Sequence, residues 1–192
     1  MLRRCGHEYD TIGGGLALQG VYPVTSLHPA LSPLDGRYAH LVTDMANEFS
    51  EQALNRARLH VEIEWLITLC DNEVAGSTPL DETTQAALRD VVTAFDRGEA
   101  STLKAIEDTT QHDVKAVEYY LRGKLDQLGL NHIAELTHFA ATSEDINNLA
   151  YALMLQRGIR EVWLPAVSAV VDTLDSLAQA WRSEPMLART HG

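Results

Sequence analysis

The chain has 192 residues, 45% of them apolar and 22% charged, a composition that excludes a disordered polymer and matches an ordinary globular chain. No stretch approaches the ~18 consecutive apolar residues of a membrane helix. Fifteen Lys and Arg against 27 Asp and Glu give a net charge of −12, a field that repels nucleic acid and anionic lipid overall.

Residues 1 to about 30 read as irregular. Gly13-Gly14-Gly15 is flexible, and Pro23, Pro29 and Pro33 break any helix there. No Gly-Lys-Ser/Thr follows the triple glycine, so a phosphate loop is not indicated. Arg3 and Arg4 lie near the start, but Glu8, Asp10 and Thr11 stand where a signal peptide carries its apolar run. The expected location is therefore cytoplasmic. Cys5 and Cys70 are far apart and lack Cys-x-x-Cys spacing, which fits reduced thiols rather than a disulfide framework. The eight histidines show no ligand spacing, so no metal is expected.

From Met45 the pattern is helical: Phe49, Ala53, Ala57, Val61, Trp65 and Leu69 recur at four-residue steps to Asn72. Asp81 caps a second helix through Leu88, Val92 and Phe95, closed by Gly98. A third helix runs from about Val114 to Leu128 and stops at Gly129, and Ile133 to Ala141 reads as a short buried helix. Thr142-x-x-Asp145 then has capping-box spacing ahead of a long apolar stripe, 146–162 and 164–181, which Pro165 either kinks or restarts. No period-two alternation occurs, so the chain is all-α. A helical stretch of ~35 residues spans ~50 Å, more than a compact fold of this size holds. The chain is accordingly expected to be the N-terminal piece of a larger helical protein.

Three segments carry reactive groups where helices begin or end. Ser32-Pro33-Leu34-Asp35-Gly36-Arg37-Tyr38 is ordinary turn chemistry, yet it presents a guanidinium fork suited to phosphate or carboxylate. Thr109-Thr110-Gln111-His112-Asp113 precedes a helix, where free N–H groups and the helix dipole converge. Thr110 and Asp113 have cap spacing, which leaves His112 over for function. Thr142-Ser143-Glu144-Asp145-Ile146-Asn147-Asn148 also caps a helix, but holds more hydrogen-bonding capacity than a cap requires.

With the terminal Arg189-Thr190-His191-Gly192, these segments in this order resemble the adenylosuccinate lyases of the bacterial type, in the aspartase/fumarase superfamily. The resemblance runs from about residue 30 to 192. It implies a three-domain helical fold, a homotetramer built on long central helices, a nucleotide substrate, and neither cofactor nor metal. It divides the chain into a leader (1–25), an N-terminal helical lyase domain (26–131) and the first long helices of the central bundle (132–192). Carried over, Arg37 and Tyr38 match a nucleotide-binding pair, and Gln111, His112 and Asp113 a substrate-binding triplet. Bacterial relatives usually carry Asn at the position of Gln111. Thr142 and Ser143 match the pair near the succinyl end, and His191 the catalytic acid. The family's serine loop, Ser-Ser-x-Met-Pro-x-Lys-x-Asn, is absent from these residues, so the chain alone is expected to be inactive. The motifs disfavour a lyase acting on argininosuccinate or on fumarate itself. A non-catalytic helical interaction module of lyase ancestry is the alternative.

Overall fold

The computed structural model describes residues 31–185 and Leu187. The leader before residue 31 and the terminal Arg-Thr-His-Gly, His191 included, lie outside the described residues. Within them the chain forms seven α-helices and no strand: α1 (Thr43–Phe49), α2 (Glu51–Asp71), α3 (Glu82–Thr93), α4 (Arg97–Thr110), α5 (Asp113–Gln127), α6 (Ser143–Arg157) and α7 (Leu164–Trp181). The all-α expectation holds.

Three boundaries differ from the sequence reading, and one that it left open is decided. The stripe beginning at Met45 is two helices, because Ser50 takes an extended backbone and its hydroxyl accepts from the Ala53 amide at 3.2 Å, starting α2 afresh. Periodicity continues across that break, which is why it was invisible to the pattern. Gly98 does not close α3. It lies in the first turn of α4, where the Asp96 carboxylate accepts from the Gly98 and Glu99 amides at 2.8 and 3.0 Å. Residues 133–141 are not one short helix but a 3₁₀ segment, Asn131–Leu136, followed by a tight turn. The open choice at Pro165 is decided as a continuous helical run, with Pro165 in the first turn of α7. A widened π-type segment, Gly158–Trp163, joins α6 to α7 just ahead of the proline. Helical structure runs unbroken from Ser143 to Trp181, roughly 60 Å at ~1.5 Å per residue.

Other signals were met as read. The Asp81 carboxylate accepts from the Thr84 amide at 2.7 Å. Gly129 (φ 73) ends α5 with the Leu130 amide reaching back to the Leu125 carbonyl at 2.8 Å, a bond that a left-handed residue makes possible.

α2 is the axis of the domain, with α1, α3, α5 and α6 packed around it. The main core joins Leu59, Ile63 and Leu66 of α2 to Leu88 of α3, Leu103 of α4, and Val117, Leu121 and Leu125 of α5. Each fully buried Leu or Ile contributes roughly 1.5–3 kcal/mol. Smaller clusters, Ala57 with Ala150 and Met154, and Val61 with Val114 and Ile146, fasten α6 to the same axis. α7 buries none of its residues. Val170, Leu174 and Trp181 all remain mostly exposed. No helix among the described residues is long and apolar enough to cross a membrane.

Candidate active site

The site is built around a charge in the wall of the core. Arg58 lies on α2 and is only 4% exposed. Its guanidinium spends donors on three elements: Nε to Asn147 Oδ1 of α6 at 2.9 Å, one Nη to Asn55 Oδ1 at 3.1 Å, and the other to Asp113 Oδ2 of α5 at 2.6 Å. A buried guanidinium is tolerated only when its fork is paired in this way. The segment around His112 and the segment around Thr142 are thereby tied to one side chain.

The α4–α5 junction places the first of these segments. Gln111 takes a left-handed backbone (φ 52), and its side-chain amide donates to the Asp108 carbonyl at 2.7 Å, closing α4. His112 is extended and serves as the N-cap of α5: its Nδ1 accepts from the Lys115 amide at 3.2 Å. This corrects the sequence reading, in which Thr110 and Asp113 formed the cap and His112 was left over. Thr110 instead donates its hydroxyl to the His112 carbonyl at 3.1 Å. With Nδ1 accepting, the neutral imidazole carries its proton on Nε2, the nitrogen available to donate elsewhere. Partial burial opposes the charge of Asp113, but the Val114 amide and the Arg58 guanidinium overcome it and hold the carboxyl below the usual carboxylate range.

Gln111, His112 and Asp113 share a polar cleft of about 610 Å³ with Arg58, Glu51, Lys104 and Tyr151. Lys104 is balanced by Glu107 and Asp108 at 3.2 and 3.4 Å, so the cleft carries both signs of charge. Among the described residues no group of three or more His, Cys, Asp or Glu side chains is placed to hold a metal ion.

Thr142 and Ser143 do not line this cleft. They open α6, joined to it through Arg58 and Asn147. The capping box is complete: the Asp145 carboxylate accepts from the Thr142 amide at 2.8 Å, and Thr142 Oγ1 accepts from the Asp145 amide at 3.4 Å. These bonds to Thr142 lower the Asp145 carboxyl pKa. Arg37 and Tyr38 stand apart in an exposed turn. There the Asp35 carboxylate accepts from the Ser32 and Leu31 amides at 2.6 and 2.9 Å, and the Arg37 guanidinium lies 5.6 Å from the Tyr38 ring centre. The structure thus gathers Gln111, His112 and Asp113, links Thr142 and Ser143 to them at one remove, and leaves Arg37 and Tyr38 outside the cleft.

Sequence reasoning missed Arg58, Lys104 and Tyr151. A signal for the first was present. Asn55, Arg58 and Glu62 recur at helical spacing among the apolar residues of α2, a polar stripe that a core-facing helix has no use for unless each member is paired.

Residues 36–192 match a family described as lyase. Among curated proteins, the chain is 44% identical over 165 residues to an adenylosuccinate lyase of Haemophilus influenzae and 42% identical to that of Escherichia coli K12. It is 40% identical over 170 residues to the adenylosuccinate lyase of Dictyostelium discoideum. Each match covers 85% of this chain and 36% of the relative, so the chain spans about a third of the length of the proteins it resembles.

Proposed function

The chain belongs to the lyase family, and from that footing we propose that it supplies one part of an adenylosuccinate lyase active site. The reaction is a β-elimination. A base removes a proton from the succinyl β-carbon, the C–H electrons form the double bond of fumarate, and the C–N bond breaks with its pair left on nitrogen. A proton delivered to that nitrogen completes AMP. The same chemistry applies to succinyl-aminoimidazole carboxamide ribotide. No step calls for a cofactor or a metal.

In this reading Gln111, His112 and Asp113 bind substrate in the polar cleft, Thr142 and Ser143 hold its succinyl end, and Arg37 and Tyr38 bind the nucleotide. His191 is the acid, because histidine holds and releases a proton near neutral pH. Residues 26–131 form the first domain and 132–192 begin the second. The α7 stripe packs in a cytoplasmic homotetramer. The observation that carries the reading is the convergence on Arg58 of two segments in which the family resemblance puts substrate-binding residues. The Gln111 amide, turned back onto Asp108, would have to rotate to reach a ligand.

Fumarate release from adenylosuccinate tests it. The pure 192-residue chain, without the serine loop, should give none above background. In the protein carrying the complete active site, His191→Gln should lower kcat by ~10²–10⁴ with binding little changed, while Arg37→Ala should chiefly raise KM. Turnover by the 192-residue chain alone that depends on His191 would refute this division of labour. One observation favours a non-catalytic interaction module: the core around α2 closes without α7. A complete protein that folds, binds a partner through α7 and never releases fumarate would establish that alternative.

A further inference from the structure

The backbone entering α6 follows a path that local chemistry does not explain. His138 (φ 61) and Ala140 (φ 57) both adopt the left-handed conformation that L side chains rarely take, two residues apart and with no glycine between Thr137 and Thr142. Such strain persists only where surrounding structure enforces it. The enforcement comes from α2. Glu62 Oε1 lies 2.6 Å from His138 Nδ1, and Trp65 Nε1 donates to the Phe139 carbonyl at 2.8 Å.

Glu62 is an expensive way to make that contact. It is completely buried, flanked on α2 by the core residues Leu59, Ile63 and Leu66, and its Oε2 has no hydrogen-bond partner among the described residues. An apolar residue would cost less to bury there. Nor does α6 need the clamp to begin, since the Thr142–Asp145 box already caps it. What the clamp does is set position. α2 grips the start of α6 through Arg58 to Asn147 and, one turn further along, grips the strained turn ending at Thr142 through Glu62 to His138 and Trp65 to the Phe139 carbonyl.

We propose that Glu62 is a positioning residue which, by holding His138, sets where Thr142 and Ser143 stand. This rests on the reading above that Thr142 and Ser143 bind substrate. Two variants separate its parts. Glu62→Leu fills the space without a hydrogen bond, and Glu62→Gln keeps an acceptor for His138.

The first measurement is amide hydrogen exchange in the 192-residue chain, which requires no activity. Glu62→Leu should speed exchange across 138–145 about tenfold or more while the α5 amides stay as in wild type, with Glu62→Gln between. The second is kinetics in the protein carrying the complete active site. There Glu62→Leu should raise the KM for adenylosuccinate about tenfold, an expected cost of misplacing a binding group by a fraction of an ångström, and Glu62→Gln should recover most of it. Unchanged exchange at 138–145, or equal acceleration throughout the domain in both variants, overturns the proposal. So does faster local exchange with an unchanged KM. A wild-type protein that never turns over adenylosuccinate removes the functional reading instead, and the exchange comparison then decides whether Glu62 sets the turn.

Discussion

Replacing Arg58 with methionine removes the three-way junction while keeping most of the buried side-chain volume. The Asp113 bond is charge-assisted, a class worth ~1.5–3 kcal/mol, and the two Asn bonds contribute ~1 kcal/mol each. These do not simply add. The Asp113 side chain is 49% exposed, so water replaces much of its lost partner and the contribution is discounted. Asn55, only 6% exposed, has no such substitute. Burying a methionine in place of a guanidinium returns part of the desolvation cost. The net expectation is a loss of about 2–4 kcal/mol, which moves the urea midpoint down by ~1–2 M at constant slope. Arg58→Lys keeps the charge but not the fork, and should recover less than half of that loss. A midpoint for Arg58→Met within ~0.3 M of wild type, with unchanged slope, would refute the argument that this junction holds α5 and α6 to α2.

Four further outcomes follow from the structure. Thr142→Ala should destabilise the chain by ~1 kcal/mol through loss of the α6 cap. Asp145→Asn should be destabilising at neutral pH and harmless in acid: its folded pKa is depressed, so its stabilisation exists above the unfolded value and disappears as pH falls through the folded one. Stability against pH for the two chains checks both statements. Gly158→Ala should show opposite signs in two backgrounds. An added Cβ would lie 2.2 Å from the Phe49 ring, so the change costs stability in wild type. With Phe49→Ala in place, helix propensity alone should make it stabilising by up to ~1 kcal/mol. Finally, the exposed apolar face of α7 should drive self-association of the 192-residue chain, and Leu174→Glu should shift it toward monomer in sedimentation.

What the sequence determined by itself is local. The all-α class follows from periodicity. The caps at Asp81 and Thr142 follow from side chains that bond three residues along the chain, and the stop at Gly129 from a glycine that takes the left-handed backbone, so short-range spacing is enough to read them. The motif segments were legible for the same reason. Where local signals compete, reading failed: Ser50 interrupts a stripe whose apolar period carries on, and Gly98 looks like a terminator although it occupies a helix start. His112 failed differently, because several residues in Thr110–Asp113 have cap chemistry and only backbone angles decide among them. Tertiary structure alone decided the site. Arg58 meets Asp113 across 55 residues of sequence and Asn147 across 89, and Glu62 meets His138 across 76. A buried charge is affordable only with its partner in place, and spacing along one helix announces the need for a partner without saying which distant residue meets it.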